Sequence, residues 1–183
     1  MYYFHECSFY HDGNSVQEDA SVNTIRASAF LELLRVCCKN SAYFSLLHYV
    51  QQSEEKLPLP IYRKAFLPHT LCKCFYSCNE ITVSLLHSIE DDLFEWVRFD
   101  EPAKPENLTF YRQDGTVFFW SETHEGVCAM FPRGREDVSV LLAQGGWEYH
   151  SAAEKLYRVP LHLQHNSNIA TALLRDKIAS TPF

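Results

Sequence analysis

Cys72, Cys74 and Cys78 are the first residues of this chain whose type and spacing suggest chemistry. Zinc takes four N or S donors in a tetrahedron, usually from paired CxxC or CxxxH spacings. Cys37-Cys38 or His69 would have to complete such a set, and no CxxC pair occurs. The CxC spacing instead puts Cys72, Cys74 and Tyr76 on one side of a strand, so the expectation is a packed sheet face and no metal. His124-Glu125 is half of the HExxH zinc motif, but its fifth position is Cys128 and a glycine, Gly126, interrupts it. That motif needs a helix; a turn is expected here. Cys128 beside His124 or His150 has the composition of a thiol–imidazole pair, which requires hydrogen-bond contact and a depressed thiol pKa. Cys128 lies in an apolar run, and core packing is the simpler reading. No phosphate-cradling glycine loop, nucleophile elbow or calcium loop is present. The sequence therefore yields no catalytic residue and no cofactor.

The second feature is charge. The 183 residues carry a net charge of −7, which disfavours nucleic acid as a partner because phosphate binding needs a basic patch. The negative charge is concentrated locally in Glu90, Asp91, Asp92, Glu95, Asp100 and Glu101, with Arg98 the one cation among them. A solvated face is the ordinary explanation. The functional one is a docking surface for a basic protein, where opposite charge speeds encounter and fixes orientation. Trp96 and Trp120 are the expected exposed aromatic anchors of such a surface.

These residues need a scaffold. Apolar residues make up 46% and charged residues 21%, ordinary globular usage for a chain long enough to bury a core. No apolar run approaches a membrane span, and the aromatic start Met1-Tyr2-Tyr3-Phe4 lacks the features of a signal peptide. The expected compartment is the cytoplasm, with the seven cysteines as free thiols. An opening strand is expected over Met1 to Tyr10. Ile25, Phe30, Leu33, Leu34 and Cys37 recur at helical spacing, predicting a helix to about Lys39 that Asn23 or Thr24 caps. Ser41 to Val50 fits strand or helix. Gln51 to Pro60 reads as a loop, and Ile61 to Leu67 and Leu71 to Tyr76 as strands. A helix is expected over Glu80 to Asp92 behind an Asn79 cap, which places its three terminal acids against the helix dipole.

Three strands follow, Leu108 to Tyr111, Thr116 to Ser121 and Val127 to Phe131, joined by Gln113-Asp114-Gly115 and His124-Glu125-Gly126 turns. A helix over Glu136 to Gln144 ends at Gly145-Gly146, and Trp147 starts a last strand. The fold class is α+β: residues 1–150 form one domain with a central, mostly antiparallel sheet flanked by helices. Residues 151–183 form a helical extension, packed on the domain or partly loose.

Leu108-Thr109-Phe110-Tyr111-Arg112-Gln113-Asp114-Gly115, followed by His124-Glu125-Gly126, Glu136-Asp137-Val138 and Gly146-Trp147, resembles the immunity proteins of bacterial polymorphic or contact-dependent toxin systems. The resemblance covers about Leu93 to Trp147. It implies a cytosolic inhibitor that binds one toxin domain and blocks it, and it transfers no residue roles. The expected partner is accordingly a protein, a basic toxin domain such as a nuclease, met by Glu90, Asp91, Asp92, Glu95, Asp100 and Glu101. Two other readings stand beside it: a small cytosolic hydrolase with a Cys/His centre, and a regulatory or structural subunit that self-associates. No oligomeric state follows from the pattern.

Overall fold

The computed structural model describes residues 1–5, 25–49, 59–67, 71–94, 105–123 and 126–149. Among these, eight strands and three helices occur in the order β1 (Tyr2–His5), α1 (Ala27–Asn40), β2 (Tyr43–Tyr49), β3 (Ile61–Leu67), β4 (Leu71–Ser77), α2 (Thr82–Ile89), β5 (Glu106–Tyr111), β6 (Val117–Glu122), β7 (Val127–Met130), α3 (Ser139–Leu142) and β8 (Trp147–Tyr149). The strands form one sheet in the order β3-β4-β2-β5-β6-β7-β1-β8, and every pairing is antiparallel. The protein is thus an α+β fold with a single sheet flanked by helices. The expected extension over 151–183 lies outside the described residues. No described helix is long and apolar enough to cross a membrane.

Pleating sorts the strands into two faces, since successive side chains point to opposite sides. Phe4, Phe44, Leu46, Cys72, Cys74, Tyr76, Leu108, Phe110, Phe119, Cys128 and Met130 belong to one core. The buried residues of all three helices join it: Phe30, Leu33, Leu34 and Cys37 of α1, Leu86 of α2 and Leu141 of α3. The alternate residues form two smaller clusters on the reverse face, Phe75 with Tyr111, and Trp120 with Val127 and Ala129. Within Ser41 to Val50, ambiguous as a sequence, Tyr43–Tyr49 form strand β2. Its apolar residues serve both faces, which erases the alternation that would have identified it.

Two irregularities shape the middle of the sheet. Register slips between Ser45 and Leu47 where β2 meets β5, and Asn107 takes up the extra residue with φ 55°. Asparagine tolerates the left-handed region better than most residues. Thr123 holds it there: Asn107 N–H donates to Thr123 Oγ1 at 3.0 Å, and Thr123 N–H returns a 3.0 Å bond to Asn107 Oδ1. A second slip, at Phe110/Tyr111, leaves Phe118 opposite no residue of its own. Both Phe118 and Phe119 then enter the helix-covered core.

The Asp114-Gly115 hairpin forms as expected, with Gly115 at φ 76° and Thr116 N–H bonded to Asp114 Oδ1 at 2.9 Å. Arg112 anchors it from the inside. This residue is 8% exposed, and its guanidinium donates to Glu136 Oε1 and Oε2 at 2.6 Å each, to the Phe131 carbonyl at 2.6 Å and to the Val117 carbonyl at 2.7 Å. The guanidinium carbon sits 5.3 Å from the Phe118 ring centre. Glu136 also accepts the Arg133 N–H at 2.6 Å, so it acts in a loop, and α3 starts at Ser139 rather than at the expected Glu136.

Arg112→Ala is expected to cost about 3 kcal/mol, because removing one partner strands the other buried group. It should lower the urea midpoint with an unchanged slope; a loss under roughly 1 kcal/mol would contradict the assigned role. The bond from Arg112, followed by that from Arg133 N–H, holds the Glu136 carboxyl below its usual range. A lowered folded-state pKa gives stability that is complete above the unfolded value of about 4.3 and lost as pH falls through the folded one. Glu136→Gln should therefore flatten the stability–pH curve below about pH 4.3. An unaltered acid limb in denaturation measured across that range would refute this.

Candidate functional site

The acidic run begins where α1 and α2 are fastened together. α2 ends at Ile89, and Glu90 is already extended, with φ −151° and ψ 151°. Glu90, Asp91 and Asp92 therefore lie beyond the helix, which corrects the expected helix to Asp92 and removes the expected clash of three acids with its dipole. The chain needs extended backbone at this point because it pairs with the segment entering α1. Arg26 and Asp92 form an isolated antiparallel bridge, Ala27 N–H donates to the Asp91 carbonyl, and Leu93 N–H donates to the Ile25 carbonyl at 3.1 Å.

Side chains lock this bridge. Arg26 Nε lies 2.7 Å from Asp92 Oδ2, with the Asp92 side chain 4% exposed and that of Arg26 56%. Asp92 Oδ1 accepts the Phe94 N–H at 2.9 Å. Ala27 opens α1 at φ 46°, a left-handed conformation that costs a residue with a Cβ about 1–2 kcal/mol. The bonds on either side of it enforce that geometry. No side-chain cap precedes α1; Asn23 and Thr24, the expected caps, lie outside the described residues. α2 starts at Thr82 with Ile81 as its N-cap and no side-chain cap, so the expected Asn79 cap is displaced into the preceding turn: Asn79 Oδ1 accepts the Ile81 N–H at 3.1 Å, and its own N–H donates to Thr82 Oγ1 at 2.9 Å.

The predicted contact residues thus separate. Asp91 is exposed and Glu90 half-buried. Asp92 is buried in the clamp, so its carboxylate serves the fold, in contrast to the expected solvent-facing acid. Trp120 is also corrected as an exposed anchor. It is 5% exposed, paired with Thr109 and Ala129 across β5 and β7, and packed with Val127, Met1, Tyr3 and Phe131 on the reverse face. Glu95, Trp96, Asp100 and Glu101 lie outside the described residues.

A second group of polar side chains lies on the β2–β4 wing, where the sequence pattern names Cys72, Cys74 and Tyr76 but not His48. His48 pairs with Cys72 across the strands. The Sγ atoms of Cys72 and Cys74 are 3.8 Å apart, and the Tyr76 hydroxyl lies 3.3 Å from His48 Nε2. Burial, reinforced by the neighbouring Cys72, pushes the Cys74 thiol up to about 11. Burial and then the charge of Lys64 push His48 down. Both shifts favour the uncharged forms of Cys74 and His48, as burial in a packed array dictates. Among the described residues, no three His, Cys, Asp or Glu side chains gather to hold a metal ion. Cys128 is fully buried, and burial drives its thiol pKa well up; it is a core residue. His124 and His150, its conceivable partners, lie outside the described residues.

Asp92→Ala is expected to destabilise by about 3 kcal/mol, since it removes a buried ion-pair partner and leaves the Phe94 amide unpaired. Asp92→Asn keeps an acceptor for that amide and should cost roughly half as much. Hydrogen exchange of the Phe94 amide should accelerate in the alanine variant well beyond the asparagine one. Equal exchange and equal stability in both would remove the capping role. Compared with known proteins, the chain matches no family model, no curated protein and no solved structure.

Proposed function

We propose that the protein is a protein-binding inhibitor of immunity type, which neutralises a basic toxin domain by covering its active face. The observation that carries this reading is the anchoring of the acidic run. Its first residues are pinned to the entry of α1 by the backbone bonds at Asp91 and Leu93 and by the Arg26–Asp92 pair, so the acidic run begins on fixed backbone. A fixed origin reduces the ordering cost that charged segments otherwise incur on binding. The chain's net charge of −7 adds long-range attraction for a cationic partner. Full burial of Cys128, with its thiol held protonated, counts against the hydrolase alternative.

Structural and contact acids have to be separated in the test. Asp92 is left intact because it closes the clamp. Asp91, Glu95, Asp100 and Glu101 are replaced together by lysine, and the tagged protein is purified from its native host at low and high salt. The wild type should retain one stoichiometric basic protein whose binding weakens with salt. The variant should bind it at least ~10-fold more weakly, a loss of about 1.4 kcal/mol, and with a shallower salt dependence. Unchanged affinity and unchanged salt dependence in a folded variant would exclude the acidic run as the contact surface.

A further inference from the structure

On the helix-covered side of the sheet, β4 carries Cys72 and Cys74 two residues apart, so both thiols leave the strand on the same face. Their Sγ atoms lie 3.8 Å apart, and each residue is 5% exposed. Register sets their neighbours. His48 of β2 stands opposite Cys72, and Lys64 of β3 stands opposite Cys74; directly opposed residues share a face and lie close enough to interact. His48 is engaged with Tyr76, whose hydroxyl lies 3.3 Å from its Nε2. Lys64 is exposed, and β2, β3 and β4 carry no acidic residue.

Two thiols in this arrangement can be joined directly or through an ion. A disulfide requires Cα atoms no further apart than about 6.8 Å, and most often 5.5–6 Å. Residues two apart on a strand are separated by about 6.7 Å, the outer limit of that range. An ion seated between the sulfurs meets no such limit, because the side chains can part around it. Zinc is a poor fit, since it takes four N or S donors and no three His, Cys, Asp or Glu side chains gather among the described residues. A dication would also face the Lys64 ammonium with no carboxylate to offset it. Monovalent copper differs on each count: it is soft, it selects thiolate sulfur, and two such donors satisfy it. Two thiolates and one Cu(I) leave a charge of −1 beside Lys64.

We propose that Cys72 and Cys74 form a binding site for monovalent copper, held between their two sulfurs. Without the ion, the pair packs as small apolar groups in the core. On binding, each thiol gives up its proton to water, and each sulfur donates a lone pair to the metal. One Cu(I) and two thiols thus yield a bis-thiolate complex and two protons, and no electron is transferred. Lys64 compensates the complex's negative charge from the neighbouring strand, and the low exposure of both cysteines limits the access of water to the ion. Copper binding here does not depend on the inhibitor reading.

The test titrates the reduced, full-length protein with Cu(I) under anaerobic conditions against the chromophoric chelator bicinchoninate. One Cu(I) per chain should be retained, with an affinity that rises about 100-fold per pH unit near neutrality because two protons leave per ion. Cys72→Ala and Cys74→Ala should each weaken retention by more than ~100-fold, the upper loss for a residue that only supports a metal ligand. Cys38→Ala should leave retention unchanged. In the wild type, one equivalent of Cu(I) should slow alkylation of Cys72 and Cys74 at least ~10-fold relative to the metal-free protein, because the thiolates are no longer available; peptide mass spectrometry reads each cysteine separately. Loss of all copper to the chelator, protection of any other cysteines in place of these two, or full affinity in either alanine variant would overturn the proposal. The wild-type alkylation map gives its answer even if an alanine variant fails to fold.

Discussion

The guanidinium of Arg112 is the interaction on which the central strands depend. A charge taken out of water is costly unless its donors are all met. Here the carboxylate of Glu136 and the carbonyls of Val117 and Phe131 meet them, with the Phe118 ring beneath. Each acceptor belongs to a different stretch: the start of β6, the end of β7 and the loop before α3. One side chain therefore fixes where three strands end and aims the chain toward α3, whose Leu141 closes the core against α1. The slip at Phe110/Tyr111 lies beside this point. The irregular strand ends leave carbonyls available to a buried cation that a regular ladder would have consumed.

At the other side of the core, α1 and α2 solve a similar problem with less charge. α2 is only eight residues long, too short to be stable by itself. Its ends are held externally: the Asn79 carbonyl accepts the Thr82 N–H, and the extended residues after Ile89 pair with the entry to α1. That pairing forces Asp92 inward, where its carboxylate replaces a missing cap for the Phe94 amide and meets Arg26. The acids of this region are consequently unequal. Asp92 is held by geometry, whereas Asp91, one residue earlier, points to solvent while its carbonyl does the structural work. An exposed acid on a fixed backbone suits electrostatic recognition better than the same charge on a freely rotating tail, which is the physical basis of the proposed inhibitor reading.

How much of this was legible depended on the range of each interaction. The Asp114-Gly115 hairpin, the Asn79 turn before α2 and the apolar stripe of α1 are local, and their residues announce them. Cys72, Cys74 and Tyr76 sharing a face follows from alternation alone. β2 was ambiguous because Tyr43 and Leu47 on the reverse face are as apolar as Phe44 and Leu46 on the covered one. Trp120 misleads for the same reason: its type suggests a surface anchor, although the reverse face of the sheet is itself buried around it. The insertion of β1 between β7 and β8, the pairing of His48 with Cys72 and the reach of Arg112 to Glu136 have no local signature. They are set by which strands meet in the sheet, and only the fold reveals them.

The thiols carry the argument one step further. A chain rich in cysteine, histidine and tyrosine invites a catalytic reading, but catalysis needs the charged or poised form of such groups near neutral pH. On the β2–β4 wing the shifts run the other way: burial raises Cys74 and lowers His48, so both stay neutral. Cys37 and Cys128 are raised as well, chiefly by burial. Cys72, Cys74, Cys37 and Cys128 thus serve as small apolar wedges between sheet and helices, a use that sulfur's polarisability favours.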